Sequence, residues 1–454
     1  MSHDPCLSID FGNAFTKVAL RSGLSTPTKP VSDPLLQFDR GLNVCIPTLA
    51  VKVGVGGVAR WYFGADAMDV PFNRPGCHFF HDWKRDFFQA AERNTEGGVL
   101  GAASQVAHSG PARHSAISPD ELDRVARGFF DWLRLFLDDR LAEQNLPQVR
   151  DCITRVAIPA FAIDSEPEGR LLAILGEAGF RTASSQPTLP EPLANAIGIF
   201  TGGRNEAGDP LTPDHALLFE GTRMVEAMRA RALHRSGPLT FWTLVADLGA
   251  YTLDMAVIGF STSDPARSLM DTYYGKERFA LCSEPIGVSG LTHRIRSVLE
   301  PANRAAFDAI LRGSDAGELH LLQDNLLHWR RPFLPGGTSQ PIGEGREGER
   351  IHREVDQFAE EAGSILRRFL KKYHYNRIDE VILTGGGMFL PAVRDSVFRV
   401  AEKLGATHAY VPARAGDPPA HHVYTPLPGL QARAGTATGG ASVFFDLAPE
   451  ILNR

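Results

Sequence analysis

Ile9-Asp10-Phe11-Gly12-Asn13-Ala14-Phe15-Thr16 and Ala246-Asp247-Leu248-Gly249-Ala250-Tyr251-Thr252-Leu253 are two versions of one phrase, 237 positions apart. Each places an aspartate at the end of an apolar run, turns through a glycine and enters a second apolar run. That second run is Val18-Ala19-Leu20 in the first copy and Met255-Ala256-Val257-Ile258 in the other. The pattern reads as strand, tight turn, strand. One such hairpin is commonplace, but two of them half a chain apart point to two related lobes.

The repeated turn has a chemistry of its own. A tight turn aims successive backbone N–H groups into one concavity, which suits an anion such as phosphate. An aspartate beside the turn can hold a divalent cation through its water shell, the partial oxygen coordination that Mg²⁺ favours. Two facing turns would grip a polyphosphate from both sides.

Outward from the turns, strand-like and helical segments alternate, as in an α/β protein. Ser118-Pro119-Asp120-Glu121 is a helix start, with Ser118 as cap, Pro119 in the first turn and Glu121 three residues after the cap. The helix it opens runs to about residue 141, with Leu122, Val125, Phe129, Trp132, Leu133 and Phe136 on its apolar positions. Further helices are expected over 166–178, ending at Gly179, and over 351–373; strands are expected at 155–158 and 381–383. Four stretches rich in Gly, Pro, Ser, His and charge read as loops: 92–116, 202–214, 332–348 and 412–429.

Composition narrows the function classes. The 47 basic and 53 acidic side chains leave a net charge of −6, against a general nucleic-acid binder. No apolar run approaches the length of a membrane span, and the start, Met1-Ser2-His3-Asp4-Pro5, is unlike a secretory leader. Five cysteines, an odd number at scattered positions, argue for a reducing compartment, and a cytoplasmic protein is expected.

The ordered motifs carry a family resemblance. The 8–20 hairpin is similar to the first phosphate motif of the actin-like ATPase superfold, and 245–258 to the second. Thr384-Gly385-Gly386-Gly387-Met388-Phe389-Leu390-Pro391 is similar to its adenosine motif. More narrowly, the chain resembles the nucleotide-binding domain of the seventy-kilodalton heat-shock chaperone (DnaK-like) family. Ile46-Pro47-Thr48, Phe63-Gly64-Ala65-Asp66-Ala67, Lys84-Arg85 and Ala157-Ile158-Pro159-Ala160-Phe161 come in the family's order. Glu191-Pro192-Leu193-Ala194-Asn195-Ala196, Pro285-Ile286-Gly287-Val288-Ser289-Gly290 and the small-residue stretch 435–441 follow. The likeness covers nearly the whole chain outside the four loops.

The resemblance implies a two-lobed actin-like (ribonuclease H-like) α/β fold that binds ATP or ADP with Mg²⁺ between duplicated lobes. The first lobe would hold 1–200 and 430–454, with a small subdomain at about 43–116. The second would hold 201–429, with a small subdomain at about 291–354. Asp10 resembles the magnesium-shell aspartate, with Gly12, Asn13 and Ala14 as turn amides; Asp247 is the second metal-side carboxylate. Lys84 resembles the lysine near the γ-phosphate and Glu191 the glutamate near the attacking water, while Thr252 offers a hydroxyl to phosphate or water. Gly249 and Ala250 belong to the second turn, and Gly287 and Gly290 resemble the turn that approaches the phosphates from the second lobe. Gly385, Gly386 and Gly387 would let backbone approach the nucleoside.

Departures from the family set expectations too. Asn13 and Ala14 replace two threonines, which lowers the expected hydrolysis rate. Tyr251 in the second turn is expected to crowd the phosphates. Phe389 takes the place of an arginine against adenine, where a ring can stack instead; Lys17 sits where several other actin-like families carry a lysine. With 14 residues after Gly440, no substrate domain like the chaperones' is expected in this sequence. The expected function is a slow, Mg²⁺-dependent, nucleotide-switched ATPase read by a protein partner in trans. An actin-like filament or scaffold ATPase, or a small-molecule kinase of the same superfold, are the alternatives. Gly343-Glu344-Gly345-Arg346-Glu347-Gly348 formally matches a dinucleotide fingerprint, but it lacks a preceding strand. Cys77-His78-Phe79-Phe80-His81-Asp82 has metal-ligand residue types without a completing set, and His421-His422 reads as solvated.

Overall fold

A computed structural model describes residues 4–22, 29–30, 45–55, 58–71, 75–80, 82–93, 117–184, 186–201, 240–261, 279–301, 303–304, 345–412, 424–427, 429–442 and 445. Its first sheet grows from the first hairpin, β1 (Cys6–Asp10) and β2 (Phe15–Arg21), joined by β3 (Lys29–Pro30) and β4 (Ile46–Pro47) on the β2 side. A small second sheet follows, with β5 (Ala50–Val55) between β6 (Val58–Phe63) and β7 (Cys77–Phe80). Helices α1 (Gly64–Met68), α2 (Trp83–Arg93) and α3 (Pro119–Glu143) lead to β8 (Ile153–Ile158), which pairs with β1 in parallel. Helix α4 (Glu166–Glu177), β9 (Arg181–Thr182), β10 (Thr188–Pro190) and α5 (Glu191–Thr201) complete this half, β10 running parallel to β8.

The other main sheet is built by later elements. β11 (Thr240–Leu248) and β12 (Leu253–Ser261) form the second hairpin, and β13 (Phe279–Glu284) adds antiparallel to β12. After α6 (Val288–Val298) and α7 (Gly345–Lys372), β14 (Glu380–Thr384) pairs with β11 in parallel. Helix α8 (Pro391–Glu402), β15 (Ala409–Pro412), β16 (Tyr424–Leu427) and α9 (Gly429–Gly440) follow. The main orders are β10-β8-β1-β2-β3 and β13-β12-β11-β14-β15-β16. In both, the hairpin's second strand is antiparallel to its first, and the strand beyond the first is parallel to it.

These elements form where the side chains dictate. Strands β1 and β14 are buried along their whole length, as strands covered on both faces must be. Ser118 caps α3, its hydroxyl accepting from the Glu121 N–H, and Leu122, Val125, Phe129, Leu133, Leu137 and Leu141 face the first core at helical spacing. Helix α4 ends as expected at Gly179, which takes a φ of +91°.

Three loop expectations change. Residues 345–348 open α7 rather than continuing a loop; the rest of that stretch, 332–344, lies outside the described residues. Within 412–429, Tyr424–Leu427 is a strand at the edge of the sheet, where Pro426 costs the ladder least. Of 92–116, Glu92 and Arg93 finish α2, and 94–116 and 202–214 lie outside the described residues, as do His81, His421 and His422.

The halves exchange helices. Helix α5 follows the first sheet yet lies against β11, β12 and β13, whereas α9 follows the second sheet and packs on β1, β2 and β8. The two helices cross almost backbone to backbone: a Cβ on Gly198 would stand 1.8 Å from Gly435 O, and one on Gly439 1.7 Å from Ala194 O. Glycine makes that crossing possible.

Candidate functional site

The first turn is held from below by aromatic packing. Phe11, just after Asp10, is wholly buried against Trp83, Phe88, Phe129 and Phe130, with ring centroids 5.1–6.4 Å apart. The Gly12 N–H donates to Asp10 O at 2.9 Å, and a Cβ there would stand 2.0 Å from Phe15 O. The amides of Asn13 and Ala14 come next, with no backbone acceptor among the described residues. Asp10 accepts from Lys17 Nζ, its register partner, at 3.1 Å.

In the second turn the Gly249 N–H donates to Thr252 O at 2.9 Å. The carbonyls of Gly249 and Ala250 accept from the first amides of α6, Val288 N–H at 3.0 Å and Ser289 N–H at 2.9 Å. Gly287 lies directly on this turn, since its Cβ would stand 2.2 Å from Ala250 O, and Gly290 sits within the first turn of α6. Tyr251 is buried, its ring edge-on to Phe161 at 6.2 Å, so it packs into the first half's 160–162 segment. Gly385 takes a φ of +84°, and a Cβ there would stand 2.0 Å from Asp247 Oδ1. Gly387 packs on Leu248, and Gly386 is exposed. Phe389 ends the short 3-10 turn Gly386–Phe389, its side chain lying outside the described ones.

Six ionisable side chains meet between the turns. Lys84 Nζ donates to Glu191 Oε1 at 2.5 Å, both groups buried, with the ammonium 5.6 Å from the centre of the Phe11 ring. Asp254, opposite Asp247 in the β11–β12 register, accepts from Thr252 Oγ1 at 2.7 Å and from Ser283 Oγ. Burial pushes the Asp247 carboxyl up to about 7, against the pull of Lys17 and with a further push from Asp10 and Glu191. Burial also raises Asp254, to about 6, with Asp247 adding to the rise and the Ser283 and Thr252 hydrogen bonds opposing it. Glu191 lies well above the usual carboxylate range, raised by burial and by Asp254 and Asp10 and lowered by Lys84. Burial works against the Lys17 charge, but Asp10, Cys45 and Asp247 together hold its pKa above the ordinary lysine value. Fully ionised, Asp10, Glu191, Asp247 and Asp254 against Lys17 and Lys84 carry a charge of −2.

The chain matches no family model and no curated protein.

Polar contacts tie the two halves together around this cluster. Asp82, at a φ of +57°, accepts from Asn13 Nδ2 and, at 3.0 Å, from Ser289 Oγ. Ser283 Oγ accepts from the Ala160 N–H at 2.8 Å, and Asn195 Nδ2 donates to Asp247 Oδ2. The structure thus brings Asp10, Lys17, Lys84, Glu191, Asp247 and Thr252 together. It adds Ser283, which no motif contained, and gives contacts to Asp82, Asp254 and Ser289, which the motif stretches contained without a role. One signal for Asp254 stood in the sequence: it follows Asp247 by the same seven positions that separate Lys17 from Asp10.

The residues fit a Mg²⁺–polyphosphate. The excess of carboxylates suits a divalent cation, and the Asn13 and Ala14 amides beside two lysines suit an anion. Among the described residues no group of three or more His, Cys, Asp or Glu side chains could ligate a metal directly, so a cation would be held through water and phosphate. No described helix is long and apolar enough to cross a membrane.

Proposed function

We propose that this chain binds ATP with Mg²⁺ between its two main sheets and hydrolyses it slowly, as a two-lobed actin-like protein similar to the ATPase domain of the DnaK-like chaperones. One observation carries the reading. Turns at the ends of β1 and β11, in hairpins flanked alike by a parallel strand beyond the first strand, converge on one largely buried cluster that, fully ionised, is two positive charges short of neutrality. The exchange of α5 and α9 between the halves supports the same architecture.

In this reading Asp10 and Asp247 would hold Mg²⁺ through water, and the ion would supply the positive charge that neutralises the phosphates. The turn amides of Asn13 and Ala14 orient the phosphates from the first half. Lys84 presents its ammonium to the oxygens on which charge builds as the phosphoryl group leaves. Glu191 accepts a hydrogen bond from the attacking water and orients it. Lys84 and Glu191 hold each other at 2.5 Å, so engaging both roles requires that pair to part, which slows turnover. Asn13, bound to Asp82, and Ala14 supply no hydroxyl to the phosphates, which slows it further.

Thermal unfolding of the full chain tests the proposal. A ligand bound only to the native state raises the melting temperature by mass action. ATP with Mg²⁺ at millimolar concentration is expected to raise it, and Asp10→Ala and Asp247→Ala each to shrink the shift. An unshifted wild-type protein, or a full shift in the double variant, would overturn the assignment.

A further inference from the structure

We infer that Asn195 is the positioning residue for Asp247, setting the orientation of that carboxylate from the helix crossing beneath it; the inference rests on the nucleotide reading above. Asn195 lies one turn after Glu191 on α5 and is buried. Its Nδ2 donates to Asp247 Oδ2, the one side-chain hydrogen bond that Asp247 receives among the described residues. The other end of the amide faces α9, where a Cβ on Gly435 would stand 3.0 Å from Asn195 Oδ1. One short side chain therefore touches the second turn's aspartate and the crossing of the exchanged helices.

The direction of the amide is fixed by chemistry. Oδ1 is buried with no hydrogen-bond partner among the described residues, so the bond to Asp247 decides which way the group points. Turned over, the amide would set its oxygen against a carboxylate oxygen. Partners that orient a directly ligating group typically tune metal affinity 10- to 100-fold when removed, and for a carboxylate acting through water the low end is the expectation.

The test is a Mg²⁺ titration of the ATP-induced thermal shift, in the wild type, Asn195→Leu and Asn195→Ser. Leucine keeps the volume and loses the N–H; serine loses the same N–H with the rest of the carboxamide and adds no bulk, and serves should the leucine variant not fold. The Mg²⁺ midpoint is expected to rise about tenfold, while the shift given by ATP without Mg²⁺ changes less than twofold. In an Asp247→Asn background, Asn195→Ser should move the Mg²⁺ midpoint no further. A wild-type midpoint in the variants overturns the inference alone, as do equal losses with and without Mg²⁺, the mark of a merely structural residue. No shift in the wild type overturns the nucleotide reading and this inference with it.

Discussion

Asp254 stands opposite Asp247 across the β11–β12 hairpin, in the register place that Lys17 holds opposite Asp10 across β1–β2. The first hairpin therefore neutralises its turn aspartate internally, while the second sets two acids face to face. Burial and this neighbour hold Asp254 at about 6, above the ordinary aspartate value of 3.8.

A pH-dependent stability follows. Because the folded-state pKa is raised, native protein keeps a proton on Asp254 that unfolded protein releases between about pH 4 and 6. The contribution of this group to stability is therefore largest below pH 4 and falls as pH rises through 6. Asp254→Asn, uncharged throughout, removes that dependence. Urea denaturation of metal-free protein should show the variant gaining ~2–3 kcal/mol on the wild type between pH 4 and 7. Parallel pH profiles for the two proteins would refute this.

The Lys84–Glu191 pair gives a second prediction. Removing Lys84 alone leaves a buried carboxyl whose pKa is already high, so Glu191 takes a proton instead of carrying an unpaired charge. Lys84→Met should destabilise by up to ~3–5 kcal/mol at alkaline pH and less at acid pH, where that protonation comes free. Lys84→Met with Glu191→Leu should be more stable than Lys84→Met alone. Strictly additive losses in denaturant titrations would mean that the two side chains do not act as a pair.

What the sequence made legible was local. The hairpins, the Ser118 cap, the stop at Gly179 and the buried β14 strand rest on spacing and on residues whose backbone preferences act at short range. Composition misled where it competed with a longer pattern: Gly345 and Gly348 looked like loop, but they open a helix whose apolar stripe begins at Ile351 and runs to Leu370. Pro426 had the same effect, because an edge strand tolerates a missing N–H and the sequence does not say which strand is the edge. The contacts of Asn13 with Asp82, Asp82 with Ser289, and Asn195 with Asp247 join positions 52 to 207 residues apart. No local periodicity encodes them; they exist only once two sheets and two exchanged helices are in place. Tyr251 shows the same limit, since its partner Phe161 decides that it packs into the other half.

Gly385 supplies a third prediction, at the boundary between fold and site. Its φ of +84° and the 2.0 Å approach of Asp247 Oδ1 to its missing Cβ are two separate reasons for glycine. Gly385→Ala should cost ~1–3 kcal/mol through the backbone and should displace the Asp247 carboxylate. The measurable outcome is a lower melting temperature together with an ATP–Mg²⁺ shift reduced as far as in Asp247→Ala. A variant that loses stability but keeps the full ligand shift would separate Gly385 from the site.

Two further glycines predict opposite signs from one kind of substitution. Gly169 lies inside α4, and a Cβ there would meet nothing within 4 Å. Gly169→Ala removes backbone freedom from the unfolded chain and adds helix propensity, so it should stabilise by ~0.5–1 kcal/mol. Gly439 lies at the crossing of α5 and α9, where the same methyl would stand 1.7 Å from Ala194 O and 2.6 Å from Gly198 N. Backbone on both helices must move to admit it, at a cost of ~3 kcal/mol or more. Chemical denaturation of the two variants should therefore move the midpoint up for Gly169→Ala and down for Gly439→Ala. The crossing also carries Asn195, so Gly439→Ala should raise the Mg²⁺ requirement of the ATP shift, and Gly169→Ala should leave it unchanged. A Gly439→Ala protein as stable as the wild type would mean that the exchanged helices do not meet backbone to backbone.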